Sequence, residues 1–299
     1  MSFADPTSME AVVEDSVVSA ESRPYFRDVW SRFRKNKLAV ISLVFLVLLV
    51  LVAVFAPAIA PYGEAERSSD FRASPSRDHW FGTDIIGRDV FSRVVLGSRV
   101  SLRIAFLATG IATIFGMLIG AVSGYFGGRI DNAIMRFTDI FLAIPYIVLA
   151  IAIASVAGRS ENSIILVLGL LGILPMTRIV RASFLSLRES EYVEAAVALG
   201  FTRSRIMFRH ILPNALQPLI IYATISVGGV ILAEAALSFL GVGPQDPTPA
   251  WGLMVAQGKG DLANAPHLVF FPGIAITSTV LAFVLIGDGL RDALDPKLR

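Results

Sequence analysis

The chain has 299 residues, 55% of them hydrophobic and only 17% charged, with a formal net charge of +2 and no cysteine. Soluble domains carry about a quarter charged residues, so the composition leans towards lipid. The lack of Cys excludes disulfides, thiolate nucleophiles and Cys-ligated metal centres, and basic residues split among separate segments argue against nucleic acid as a partner.

Residues 1–22 hold Asp5, Glu10, Glu14, Asp15 and Glu21 without Lys or Arg, a composition that predicts a mobile tail. Arg23, Arg27, Arg32, Arg34, Lys35 and Lys37 then crowd before the first apolar run, residues 38–60. A basic flank holds that end of a span in the cytoplasm. Ala58-Ile59-Ala60 looks like a cleavage site, but the run is too long for a signal-peptide core and Pro61 follows, so an uncleaved span is expected.

Five more apolar runs follow, at residues 102–125, 133–157, 164–180, 216–240 and 268–290. A helix rises about 1.5 Å per residue, so about 20 apolar residues cross the roughly 30 Å hydrocarbon layer. The fold class expected is therefore all-α and integral to the membrane, with about six transmembrane helices and both termini cytoplasmic. Pro145 predicts a kink in the third run, Pro175 lies in the fourth, and Gly228-Gly229 in the fifth; small residues and prolines suit closely packed spans. The division is a tail at 1–37, a first span at 38–60, an external loop at 61–101, a core at 102–290 and a tail at 291–299.

Most arginines outside the spans fall on the cytoplasmic side of this arrangement. The external loop is the exception, with Arg67, Arg72, Arg77, Arg88, Arg93 and Arg99. An amphipathic helix over residues 89–100 lying along the interface would ease that conflict.

Residues 189–214, within a cytoplasmic loop at about 182–214, read ESEYVEAAVALGFTRSRIMFRHILPN, too polar to cross lipid and too rich in helix formers for an idle connection. Ser190 is placed to cap a first helix, Gly200 to end it in the left-handed conformation, Thr202 to start a second helix and Pro213 to close it. Ala195, Ala196 and Ala198 would present a small face to an approaching surface.

Glu194-Ala195-Ala196, three residues, Gly200, nine residues and a segment ending Leu212-Pro213 resemble the "EAA" loop of ABC importer permeases. His210 stands where Ile is usual, and His-Ile-Leu-Pro-Asn looks like the variant of the oligopeptide, dipeptide and nickel branch. Phe81-Gly82-Thr83-Asp84 with Gly87-Arg88-Asp89, the stretch from Leu237 to Gly252, and the ending from Gly287 to Pro296 resemble the same branch. By residues alone, the stretch after Leu237 is a rigid loop at the outer face, with Trp251 as a headgroup anchor, and direct contact with substrate is the competing reading.

The resemblance implies the fold of a type I ABC importer permease. It implies ATPase coupling through Glu191, Glu194, Ala195, Ala196, Gly200, Arg209, His210, Leu212 and Pro213. The implied partners are a second permease chain, two ABC ATPases that carry ATP and Mg, an extracytoplasmic binding protein and membrane lipid, in a bacterial or archaeal plasma membrane. The implied cargo is a di- or oligopeptide, with nickel or glutathione as alternatives within the branch.

Glu234, inside the fifth run, is expensive in lipid and should face the bundle interior or a watery path. With Gly228 and Gly229 it is the pore or gate candidate, and a structural hydrogen bond to a neighbouring helix is the competing reading. Asp139 is expected to lie at the interface or to pair with Arg136 or Arg178. His79, His210 and His267 have no metal-ligand spacing, no G-x-x-x-x-G-K-[ST] loop is present, and no G-x-S-x-G elbow occurs. No cofactor and no catalytic residue are therefore expected on this chain. A self-sufficient secondary transporter would need more mid-membrane charge than Glu234 supplies, and an intramembrane enzyme has still less support.

Overall fold

The computed structural model describes residues 25–294, so the acidic tail at 1–22 and the last residues from Asp295 lie outside the described region. The described residues form an all-helical bundle. The first helices are α1 (Tyr25–Phe33), α2 (Lys37–Val54) and the single turn α3 (Ala56–Ile59). The Asn36 side chain caps α2 by accepting from the Ala39 amide at 3.1 Å. Leu38, Ile41, Val44, Val47, Leu48 and Leu51 on α2 are exposed, an apolar face suited to hydrocarbon.

The second span is α4 (Val90–Phe126), a helix of 37 residues. At about 1.5 Å per residue it is some 55 Å long, well beyond the hydrocarbon layer, so its ends project. The interfacial helix expected at residues 89–100 is therefore corrected: this segment is the outer end of the span itself. Asp89 starts it by accepting from the Ser92 amide at 2.7 Å.

The third run is also corrected. It is two helices, α5 (Gly128–Leu142) and α6 (Tyr146–Ala157), bent by 88° around Pro145. Proline lacks the amide and disfavours a helical conformation in the residue before it, so the break is sharper than a kink. The polar face of α5 is tied to α4 and to α7 (Glu161–Arg188). Arg181 Nη2 donates to Asp131 Oδ2 at 2.6 Å, Ser123 Oγ donates to Asp131 Oδ1 at 2.6 Å, and Arg178 pairs with Asp139. The Arg178 pairing is one of the two expected for Asp139.

The fourth span runs through Pro175 to Arg188, past the expected boundary near residue 180. It packs parallel to α4 through small residues. A methyl group placed at Gly120 would lie 2.6 Å from the Thr177 carbonyl oxygen and 2.7 Å from Val180 Cβ. Gly116 and Gly124, one turn either side, are as tightly covered by Met176 and Phe184. This spacing lets two backbones approach where lipid offers no hydrophobic drive for association.

After a short helix α8 (Glu191–Ala198), the chain passes through α9 (Arg203–Arg205) and a π-helical turn, Ile206–Ile211, into α10 (Leu212–Phe239). Two helices complete the bundle, α11 (Trp251–Gly258) and α12 (His267–Leu294). Five described helices are long and apolar enough to cross a membrane, six when α5 and α6 count as one broken span. Phe33 lies beside Gly289, and α4 ends beside Arg188, so the N-terminal helix, the end of α12 and the loop around α8 share one end of the bundle.

The opposite end is a built cap, in which Arg72, Arg88 and Arg93 of the loop are neutralised. Arg88 is buried: its Nε reaches Asp84 Oδ2 at 2.6 Å, Nη1 reaches Asp246 Oδ1 at 2.7 Å and Nη2 reaches Gln257 Oε1 at 3.2 Å. The Arg93 side chain, 1% exposed, donates to the Glu64 carbonyl at 2.9 Å and pairs with Asp246 at 3.4 Å. Arg72 pairs with Asp261 at 2.9 Å. Burial pushes the Asp246 carboxyl up, but the Arg88 hydrogen bond and the Arg88 and Arg93 charges outweigh it and hold it below the ordinary carboxylate range.

Trp251 belongs to this cap and is 1% exposed, which corrects its reading as a headgroup anchor. Its indole N–H donates to the Val94 carbonyl at 2.9 Å, and Gly97 leaves the space its ring fills.

Candidate functional site

The helix α8 and the turn after it protrude at the end opposite the cap. Ser190 holds the N-cap position, but its hydroxyl donates back to the Leu187 carbonyl at 2.5 Å and makes no cap bond, contrary to expectation. Gly200 ends the helix as expected, at φ +74°. The amide after it, Phe201 N, bonds the Ala196 carbonyl at 3.2 Å, and Gly200 N bonds the Val197 carbonyl at 2.9 Å. These reversed bonds satisfy carbonyls that the helix end would otherwise leave bare.

Val193 and Ala196, three residues apart, face inward onto a cluster with Phe184, Ile206 and Ile211. Ala196 is therefore not part of a small exposed face, and only Ala195 and Ala198 remain outside. Glu191, Glu194, Gly200 and Arg209 are exposed as well. The outer surface also carries large apolar side chains that residue type alone had not marked. Leu199 is 73% exposed and Val197 59%, with Tyr192 and Phe208 beside them. Their signal was present: bulky apolar residues in a segment too polar for lipid need a protein surface to cover them.

Thr202 starts the second helix, its hydroxyl accepting from Arg205 N at 3.4 Å. Pro213 does not close that helix, as had been expected. It sits in the first turn of α10, where a missing amide costs nothing, and the π turn before it takes up the register change. His210 stacks on Phe201 with ring centroids 5.6 Å apart, and the Arg205 guanidinium lies 4.3 Å over the Phe201 ring. Asn214 Nδ2 donates to the His210 carbonyl at 2.9 Å and to Tyr192 Oη at 3.3 Å, tying α8 to the start of α10. Leu212 is half-buried against the same cluster. The predicted residues thus divide into an outward set and an inward set, held as one rigid hairpin. Beside it opens a cleft of about 540 Å³ lined by Tyr125, Phe126, Arg188, Glu194, Val197 and Arg203.

The second candidate group is not at this site. Glu234 is 1% exposed, inside α10. The Ser238 hydroxyl donates to its Oε1 at 2.7 Å, and the Ser101 hydroxyl is its other side-chain partner. Ser101 also accepts from the Trp251 amide at 3.3 Å, which joins α4, α10 and α11 through one polar chain. Gly228 packs against Val280 and Phe283 of α12, while Gly229 faces open space. Among the described residues no group of His, Cys, Asp and Glu could hold a metal ion.

The described residues thus form a multi-pass bundle with a polar hairpin at one end and a stapled cap at the other. Residues 116–299 match the family described as binding-protein-dependent transport system inner membrane component, and residues 24–75 match the N-terminal TM domain of oligopeptide transport permease C. The chain belongs to this family of ABC importer permeases and is a multi-pass protein of the membrane. The dipeptide transport system permease protein DppC of Alkalihalophilus pseudofirmus is 45% identical over 92% of this chain and 90% of its own length. The glutathione transport system permease protein GsiD of Escherichia coli is 42% identical over 93% of this chain and 92% of its own. In fold, the chain is similar to the MetNI methionine ABC transporter in inward-facing form, with a TM-score of 0.58 at 19% identity over 68% of this chain and 97% of that one. The type I importer permease fold expected from the sequence is therefore the one observed.

Proposed function

We propose that this chain is a translocation subunit for short peptides, working with a second permease chain, two ATPases and an extracytoplasmic binding protein. The observation that carries the coupling role is the hairpin at Gly200, which leaves Val197, Leu199, Tyr192 and Phe208 exposed with an open cleft alongside, a surface that faces the cytoplasm on this reading. Those side chains need a partner surface, and Glu191, Glu194 and Arg209 at the rim give it orientation. The ATPases bind and hydrolyse ATP with Mg; this chain converts their motion into helix movement. Because Val193, Ala196 and Ile211 lock the hairpin onto α7 and α10, a push on its surface moves those spans as one body.

The peptide reading is supported by the relatives at 45% and 42% identity, one a dipeptide and one a glutathione permease, since glutathione is itself a small peptide. Nickel is disfavoured because the described residues offer no metal-ligating group. For the pathway, Gly229 is the exposed member of the candidate group and can face a second chain. Glu234 acts from behind it, as the polar tie that holds α10 against α4.

The test is reconstitution of the full complex in lipid vesicles with its binding protein and a labelled dipeptide. Uptake that requires ATP is the expected result, and this chain purified alone should hydrolyse none. Uptake by this chain alone, without nucleotide, would reject the reading.

A further inference from the structure

At the outer end of the bundle lies a cleft of about 250 Å³ lined by Glu64, Leu96, Arg99, Arg103, Glu161 and Pro249. Leu96, Arg99 and Arg103 share one face of α4, at the spacing of successive helical turns. The charges in it are only half used. Arg99 has no ion-pair partner among the described residues, and neither does the Glu64 carboxylate, although the Glu64 backbone is pinned by Arg93 at 2.9 Å. Arg103 Nε stands 3.3 Å from Glu161 Oε1, yet that buried oxygen receives no hydrogen bond. Arg99 and the Glu64 carboxylate thus line the concavity unpaired, beside the Arg103–Glu161 pair whose Glu161 Oε1 still lacks a hydrogen bond.

We propose that this cleft binds the charged termini of a short zwitterionic peptide; the inference rests on the peptide reading above and locates a contact for it. Arg99 takes the terminal carboxylate, since a guanidinium offers two parallel donors to a planar acceptor. Glu64 and Glu161 take the terminal ammonium, which completes the coordination of the Glu161 oxygen. Leu96 and Pro249 supply an apolar wall for a side chain. The lining sums to no net charge, which matches a zwitterion and favours neither a lone anion nor a lone metal cation. The volume lies under the roughly 300–1,000 Å³ of drug-sized sites, so it suits one or two residues of a peptide. Its place at the end opposite the coupling hairpin is where cargo arrives from outside.

The experiment measures binding of alanyl-alanine, its N-acetyl derivative and its C-terminal amide to the purified full complex in lipid nanodiscs, without the binding protein, by ligand-observed NMR. In the wild type each blocked form should bind about fivefold more weakly than the free dipeptide, as for partly exposed ion pairs. Arg99→Gln should abolish the penalty for the amide alone, and Glu64→Gln with Glu161→Gln the penalty for the acetyl group alone. Arg99 and Glu64 are without ion partners, and the Glu161 pair with the exposed Arg103 is worth little, so these variants should fold and assemble. Equal affinity of all three ligands, or unchanged discrimination in the variants, overturns the proposal. So does a higher binding-protein requirement for ATPase stimulation in Arg99→Gln with dipeptide discrimination intact, because the cleft would then be a docking surface for that protein. Absence of ATP-driven dipeptide uptake by the wild-type complex rejects the peptide reading itself, and this inference with it. Normal uptake with no effect of the variants rejects this inference alone.

Discussion

Replacing Gly200 with valine isolates a backbone effect, because a side chain there meets nothing within 4 Å. The residue sits at φ +74°, where an L-residue crowds its own carbonyl at a cost of about 1–2 kcal/mol, more for a β-branched one. The alternative open to valine is to leave the left-handed region. That breaks the 3.2 Å bond from Phe201 N to Ala196 O and turns the Phe201–His210 stack away from the hairpin. A penalty of about 1–2 kcal/mol lowers the population of the docking-competent hairpin about 5- to 30-fold. The spans lie elsewhere, so membrane insertion and assembly should survive. In vesicles holding the full complex, ATP-driven uptake should fall by about that factor for Gly200→Val. Gly200→Asn should retain most uptake, because Asn tolerates this conformation, and Gly200→Ala should fall between them. Wild-type uptake per ATP hydrolysed in Gly200→Val would refute the reasoning, as would equal losses in the valine and asparagine variants.

Other changes probe the bundle and its cap. Gly120→Val drives a side chain into the Thr177 carbonyl and Val180, so it should lose about 1–3 kcal/mol or more by overpacking and accumulate poorly, while Gly110→Val, with open space around it, should accumulate normally in immunoblots of membranes. Arg88→Met leaves Asp84 without its cation and Asp246 with only the longer Arg93 pair, and should lower the detergent melting temperature by an amount equivalent to about 3 kcal/mol; an unchanged melt would refute a stapling role for Arg88. The Asp246 carboxyl is held below its ordinary range, so its ion pairs stabilise the fold above the unfolded value of about 3.9 and that contribution is lost as pH falls through the lower folded value. The stability advantage of wild type over Asp246→Asn should therefore be constant from pH 7 to 5 and shrink below about pH 4; since Asp246 is 47% exposed, the advantage should also be small. Glu234→Gln keeps the shape and the Ser238 hydrogen bond and should leave uptake near wild type, whereas Glu234→Ala should lower thermal stability; a large uptake defect in the glutamine variant would place the carboxylate on the pathway instead.

Apolar runs of sufficient length, basic flanks and the Gly200 turn were determined by local chemistry, and they were legible in the sequence. Each depends on a few neighbouring residues: about 20 apolar side chains cross lipid, and glycine alone adopts a positive φ without penalty. The hairpin at Gly200 could be placed for the same reason, since Glu194, Gly200 and Thr202 are within nine residues of one another. The orientation of that hairpin was not local. Ala196 turned inward because Phe184 and Ile211 from two other helices meet there, a fact that its Ala195 and Ala198 neighbours give no sign of. Pro213 likewise became a start and not a stop once the π turn absorbed its missing amide.

The external loop shows the division most plainly. Six arginines between residues 61 and 99 conflict with the positive-inside pattern as long as each counts as a free charge. Asp246 and Gln257, about 160 positions further along, remove Arg88 and Arg93 from that count by pairing with them. Glu234 follows the same logic: cost in lipid marks it as a residue with a partner, but only the packing of α4 and α11 on α10 brings Ser101 to it. Sequence determines what each segment can do in water or lipid; which charges remain free to act is decided when distant segments close on one another.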